Sequence, residues 1–169
     1  MRLAVSVFAV AIALWAVSCA KASADCPSTE TSSQCRPEIV AIGLDGKPLA
    51  EADLAGKVVL VNFWATWCGP CAAELPALEA VYERHRGDGF VIVGAVSADP
   101  SDDLDVSNFA AARGVTYPLV RATPHLERKM ELGQALPKTY LYDRKGKLHK
   151  VWNGAISEKT LAAKVKELL

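Results

Sequence analysis

The chain has no excess charge of either sign: 19 lysines and arginines stand against 19 aspartates and glutamates over 169 residues. Setting aside residues 1–24, which hold Arg2 and Lys21 and no acid, leaves 17 basic and 19 acidic side chains, a net of −2. Without a basic face nothing neutralises phosphates, so nucleic acid is excluded as a partner and a large polyanion as a substrate. Histidine is scarce too. His85, His125 and His149 are scattered, and no second CxxC or HxxxH accompanies Cys68 and Cys71, so a zinc site lacks its ligands. Asp99, Asp102, Asp103 and Asp105 lack the EF-hand spacing and read as a solvated loop that caps a helix. No metal and no cofactor is expected. Half of the residues are apolar and 22% are charged, which suits one compact domain behind a leader.

What the chain does have is concentrated between Val58 and Pro76. Val58 to Trp64 is apolar except for Asn62 and starts β-branched after Gly56, the pattern of a buried central strand. From Cys71 onward, Leu75, Leu78, Val81 and Tyr82 recur at spacings of three and four, which predicts a helix to about His85 with a kink at Pro76. Cys68 and Cys71 thus fall between a strand end and a helix start. Unpaired N–H groups and partial positive charge there favour an anion, so a thiolate at Cys68 is expected to form more readily than in free cysteine. Cys71, one turn in, is expected to be more buried. The asymmetry predicts a dithiol in which Cys68 attacks a disulfide and Cys71 resolves the mixed disulfide. Gly69 lets the turn close, and Pro70 fits the first helical turn because it has no N–H to leave unpaired.

The block VNFWATWCGPCAAELP resembles the thioredoxin superfamily, and within it the periplasmic thiol–disulfide reductases of the TlpA, ResA and CcmG type. Their W-C-x-P-C-x-x-E-x-P pattern is matched by Trp67, Cys68, Pro70, Cys71, Glu74 and Pro76. Cytoplasmic thioredoxins carry an aspartate where this chain has Asn62; the resembled family keeps an acid in the active-site helix, which maps to Glu74. That position suggests proton relay to the resolving thiol, the alternative being a surface carboxylate. Ala135 to Asp143 resembles the superfamily's x-P-x-T-F-L-x-D block. The resemblance implies that Pro137 is cis and faces the CxxC, and that Leu136 offers its backbone to a substrate peptide in strand-like pairing. Gly133 departs from the pattern by lying one residue closer to the proline. Trp67 is expected to shape the contact surface, with a core role as the alternative, and Trp64 to pack near the cysteines.

Ahead of this core, Met1-Arg2 precedes an apolar run from Leu3 to Ala20, and Ala22-Ser23-Ala24 offers a cleavage site before Asp25. Three fates fit residues 1–24: removal as a signal peptide, retention of residues 3–20 as a membrane tether, or lipidation at Cys19, although Ala16 stands where a lipobox prefers leucine. Each places the domain in the periplasm or cell envelope. Residues 25–37 form a polar linker holding Cys26 and Cys35, candidates for a structural disulfide, with free thiols or a second redox pair as alternatives.

Residues 38–169 are read as the domain. Glu38–Ile42 and the turn at Asp45-Gly46 predict a hairpin, followed by a short helix with Asp53 as cap and Gly56 as stop. Gly87-Asp88-Gly89 ends the main helix beside the solvated Arg84, His85 and Arg86, and Phe90–Val96 is a second buried strand. A helix from about Leu104 to Arg113 and an edge strand at Tyr117–Val120 follow, resembling an insertion of TlpA-type proteins and peroxiredoxins. A helix opening at Thr123-Pro124 and ending near Gly133, a hairpin of Thr139–Tyr142 with Lys147–Trp152, and a final helix capped by Ser157 complete the chain. The expected fold is α/β: a thioredoxin-like three-layer sandwich, its central mixed sheet flanked by helices, with an N-terminal hairpin and a central helix–strand insertion.

The function expected is reduction of protein disulfides outside the cytoplasm, with a membrane thiol electron donor upstream. Apocytochrome c is a client implied by resemblance alone. A thiol peroxidase is the enzymatic alternative, although the peroxiredoxin P-x-x-x-T-x-x-C pattern is absent around both cysteines. A non-catalytic metal- or partner-binding module on the same scaffold is the third reading.

Overall fold

A computed structural model describes Cys26 and residues 34–169. The leader and most of the polar linker lie outside the described residues, and with them the three fates considered for residues 1–24. Among the described residues no helix is long and apolar enough to cross a membrane.

The central strand β3 (Val58–Trp64) is fully buried along its length. It pairs in parallel with β4 (Phe90–Val96) and antiparallel with β6 (Lys138–Tyr142). β5 (Leu119–Arg121) lies parallel to β4, and β7 (Leu148–Asn153) antiparallel to β6, giving a mixed sheet of order β5-β4-β3-β6-β7. The hairpin β1 (Ala41–Ile42) and β2 (Pro48–Leu49) forms a sheet of its own, joined to β5 where the Leu44 N–H donates to the Leu119 carbonyl at 2.9 Å, and leads into α1 (Glu51–Leu54).

A strand buried on both faces still sorts its side chains two ways. Val58, Leu60 and Trp64 pack with α2 (Gly69–His85), α3 (Asp103–Ala111) and α5 (Glu158–Lys166), whereas Val59, Val61 and Phe63 pack with α1 and α4 (Pro124–Lys129). The three-layer sandwich expected from sequence is therefore the one observed. α2 is anchored by a second device: Glu79 is buried, and its carboxylate accepts the Thr116 N–H at 2.8 Å and the Thr116 hydroxyl at 2.5 Å.

Element ends differ from expectation for local reasons. The first strand keeps only Ala41–Ile42 of the predicted Glu38–Ile42, because its partner β2 is two residues long. β5 starts at Leu119 rather than Tyr117; Pro118 has no N–H to donate, and its carbonyl instead accepts the Gly94 N–H at 2.9 Å. α4 stops at Lys129, four residues before Gly133, where Met130 and Glu131 turn out of the helix and Glu131 takes φ 48°. Asp53 is not the N-cap of α1 but its third residue, reaching back to the Ala50 N–H at 2.8 Å.

The described end of the linker is paired with the sheet. The Arg36 N–H donates to the Gly146 carbonyl and Leu148 N–H to the Gln34 carbonyl, so residues 34–36 run along the β6–β7 turn. The Arg36 guanidinium is largely buried and forks onto Glu51 of α1.

Candidate active site

Trp64 ends β3, and the chain turns through Ala65-Thr66-Trp67 before Cys68 caps α2. Cys68 has extended φ/ψ, its Sγ accepts the Cys71 N–H at 3.2 Å, and Pro70 occupies the first helical turn. The sulfur thus sits at the helix end where unpaired amides point, the position the sequence predicts. Cys68 and Cys71 are joined as a disulfide. Cys68 is 4% exposed and Cys71 fully buried, the order expected for an attacking and a resolving sulfur.

The turn between strand and cap is held from outside. Asp99 accepts the Thr66 N–H at 2.5 Å and the Ser101 N–H at 3.0 Å. Burial works to raise the Asp99 carboxyl, but these two N–H donors outweigh it and hold the group below the usual carboxylate range. Trp67 is 59% exposed, and its indole N–H donates to the Ala98 carbonyl at 2.9 Å. Ala98 itself takes φ 50°, a left-handed backbone rare for a residue with a Cβ. Trp67 and Ala98 form one wall of an open groove whose other wall includes Leu132 and Leu136. The Leu136–Pro137 peptide is cis, and Leu136 also packs against the core cluster that contains Cys68 and Cys71. Trp67 and Leu136, 69 residues apart in the chain, therefore line one groove, with Gly69-Pro70 and Pro137 adjoining them in sequence.

Three residues beyond Cys71 on α2 lies a buried carboxyl group. Glu74 is 2% exposed, so the alternative of a surface carboxylate is overturned: the polar residue lies on the face of α2 that packs on the sheet. Its Oε1 accepts from Asn62 Nδ2 at 2.8 Å and its Oε2 from the Ile156 N–H at 2.9 Å. Burial pushes its pKa up from 4.5 to about 7, against the opposing pull of those two donors. Trp64 is fully buried, stacks on Phe109 of α3 and belongs to the same cluster as the cysteines, as expected.

Sequence reasoning missed Thr139, which accepts the second Asn62 hydrogen bond at 2.9 Å, and Asp99 as the clamp on Thr66. A signal for the first was present. A single polar residue in an apolar strand must find partners, and Asn62 is that residue. Cys26 and Cys35 are bonded to each other, with Cys35 bridged to Lys147.

Comparison with known proteins places this geometry in a family. Redoxin matches residues 22–168. The chain belongs to the Redoxin family. Redoxin relatives include the thiol–disulfide oxidoreductase ResA of Bacillus subtilis (strain 168), 36% identical over 122 residues that cover 72% of this chain and 67% of that protein. ResA of Geobacillus thermodenitrificans (strain NG80-2) is 32% identical over 130 residues, 74% of this chain and 71% of that protein. Among solved structures, a thiol:disulfide interchange protein of the thioredoxin family from Chlorobium tepidum TLS superposes with TM-score 0.74 at 31% identity, covering 80% of this chain and 95% of that one. This Redoxin-family chain has the thioredoxin-like fold.

Proposed function

We propose that this chain reduces disulfides of client proteins outside the cytoplasm, as a thiol–disulfide oxidoreductase working through Cys68 and Cys71. The observation that carries the reading is the Cys68–Cys71 disulfide at the amino end of α2, beside the cis Leu136–Pro137 peptide, with a buried carboxyl three residues beyond Cys71. The ResA relatives are named for the same exchange chemistry.

In the reduced protein the Cys68 thiolate attacks one sulfur of the client disulfide. A Cys68–client mixed disulfide forms, and the first client thiolate leaves and takes a proton from solvent. Cys71 then gives its proton to the Glu74 carboxylate, one turn along α2, and attacks Cys68. The Cys68–Cys71 bond closes and the second client thiolate leaves. Two electrons have passed from the dithiol to the client, and the described structure is the oxidised product. Glu74 suits the proton step because its affinity, about 7, lies near the working pH. Leu136 and Pro137 offer backbone to an extended client segment, Trp67 supplies an apolar contact beside it, and Gly69-Pro70 closes the turn that sets Cys68 at the helix end.

Reduction of the oxidised pair requires a second dithiol, which we assign to a membrane-bound donor. Residues 1–24 serve as signal or tether, 25–37 as linker and 38–169 as the catalytic domain. Apocytochrome c, whose haem-attachment cysteines form a disulfide, is the client class that the family resemblance suggests. The test is capture. A Cys71→Ser variant expressed with its leader in its own cell should accumulate mixed disulfides at Cys68, and identification of the partners names client and donor. Absence of any adduct, together with failure of the reduced wild type to cleave insulin disulfides, overturns the proposal.

A further inference from the structure

Asn62 is fully buried, on the face of β3 shared with Leu60 and Trp64 and packed beneath α2. The sheet register sets it between Gly94 of β4 and Thr139 of β6. Both of its amide hydrogens are used, one on Glu74 Oε1 at 2.8 Å and one on Thr139 Oγ1 at 2.9 Å. Its carbonyl oxygen Oδ1 has no hydrogen-bond partner among the described residues. A buried carbonyl without a partner is costly, and an apolar side chain of similar size would avoid that cost entirely. The residue type is thus explained by what its nitrogen does.

Three side chains of this shape have different consequences for Glu74. Leucine would leave the carboxylate with only the Ile156 N–H and let burial dominate. Aspartate would set a second carboxylate about 2.8 Å away, so that the pair would hold a shared proton. Asparagine donates to the ionised form without adding charge. Turned by half a rotation, the same amide would instead offer its carbonyl to a protonated Glu74 and to the Thr139 hydroxyl. In the observed orientation the Thr139 oxygen accepts the other amide hydrogen, which ties the nitrogen between Thr139 and Glu74.

We infer that Asn62 is the positioning residue for Glu74, orienting its carboxyl and setting its proton affinity through a hydrogen-bonded link that ends on Thr139, two residues beyond Pro137. The inference rests on the proposed proton-accepting role of Glu74, and it assigns to β3 and β6 a control over the α2 carboxyl. Among the described residues, the groups that bond to Glu74 are Asn62 from β3 and the Ile156 N–H from the turn before α5, with Cys71 three residues back on its own helix. From the segment before β5 comes Tyr117, whose phenol is held protonated by burial and by the Glu79 and Glu74 carboxylates. None of these is a cation, so hydrogen bonding is the counterweight to burial at this carboxyl.

The test uses the full chain in its reduced state, with the Glu74 carboxyl followed by carbon-13 NMR and assigned by its loss in Glu74→Gln. Asn62→Leu should raise the Glu74 midpoint by about one pH unit, and Thr139→Val should raise it by less. Thr139→Ser, which keeps the oxygen, should restore the wild-type midpoint, a rescue that general loosening of the core would not give. The pH profile of Cys68–Cys71 oxidation by a small aromatic disulfide should move with the midpoint. If Asn62→Leu does not fold, the Thr139→Val and Thr139→Ser pair decides alone. An unmoved midpoint in the folded variants overturns the inference. Shifted midpoints, with a Glu74→Gln oxidation profile identical to wild type, sustain it and overturn the proton-accepting role of Glu74 instead.

Discussion

Glu74 shows how one residue ties stability to chemistry. Its carboxyl is carried from 4.5 to about 7 because burial penalises the charge more than Asn62 and Ile156 repay. The folded state therefore holds a proton that the unfolded chain releases. Stability from this group is fully present below about pH 4.5 and is lost as pH rises through about 7, a change worth about 3 kcal/mol. Glu74→Gln keeps the shape and removes the ionisation. Denaturant titrations should then show a flatter stability curve between those pH values, with the variant gaining on wild type as pH rises. A curve parallel to wild type would place the Glu74 proton outside the folding equilibrium. Gly94 matters at the same scale for a steric reason. A Cβ there would lie 2.5 Å from Leu119 Cδ2 and 3.1 Å from the Tyr117 ring, so the strand beside Asn62 has no room for a side chain.

Among the elements, α5 is short, and its entry is joined to the site. Ser157 Oγ accepts the Thr160 N–H at 3.2 Å as N-cap, and the preceding residue, Ile156, gives its N–H to Glu74. Leu161 and Val165 then carry the buried face of the helix onto the sheet. Removing the cap with Ser157→Ala should cost about 1 kcal/mol in chemical denaturation. Because the cap lies one residue from the Glu74 donor, the loss should also loosen the Ile156 amide, read as faster hydrogen exchange at that N–H than at the Leu161 N–H. α2 shows the converse arrangement, with the Cys68 sulfur as its own N-cap and Pro76 carried inside the helix. The order of exposure of Cys68 and Cys71 follows from that geometry: one is the cap and the other lies a turn deeper.

At the scale of the molecule, the disulfide between Cys26 and Cys35 closes a short loop ahead of the domain, and the backbone bonds of Gln34 and Arg36 with the Arg36–Glu51 pair fasten the end of that loop to the domain's periphery. This fastening lies by the β6–β7 turn, near the start of β3, since Tyr142 is in register with Val59. The CxxC follows the other end of β3, about 20 Å away at 3.3 Å per residue. Two bonds of the same chemical kind are thus separated by the length of the central strand. The double variant Cys26→Ser, Cys35→Ser should lose stability by up to about 3 kcal/mol, the limit set by chain entropy for so short a loop. Its rate of insulin reduction should match wild type. An equal loss of rate in the folded variant would tie the N-terminal bridge to the exchange reaction.

The sequence alone determined the central strand, the CxxC at the head of its helix, the order of elements and the layered α/β architecture. Each of these is written in local terms: the apolar run of β3, the spacing of Leu75, Leu78 and Val81, and the turn signals at Asp45-Gly46 and Thr123-Pro124. Element ends were less legible, because β1 is as long as its two-residue partner allows and β5 starts only after Pro118, which has no N–H to donate. Tertiary structure alone decided that Glu74 is buried, that Asn62 reaches it across 12 residues of chain and Thr139 reaches Asn62 across 77, and that Asp99 clamps the turn before Cys68. A carboxylate on a helix reads the same whether it faces water or a sheet. Its proton affinity is set by what the rest of the chain brings against it, which no run of neighbouring residues encodes.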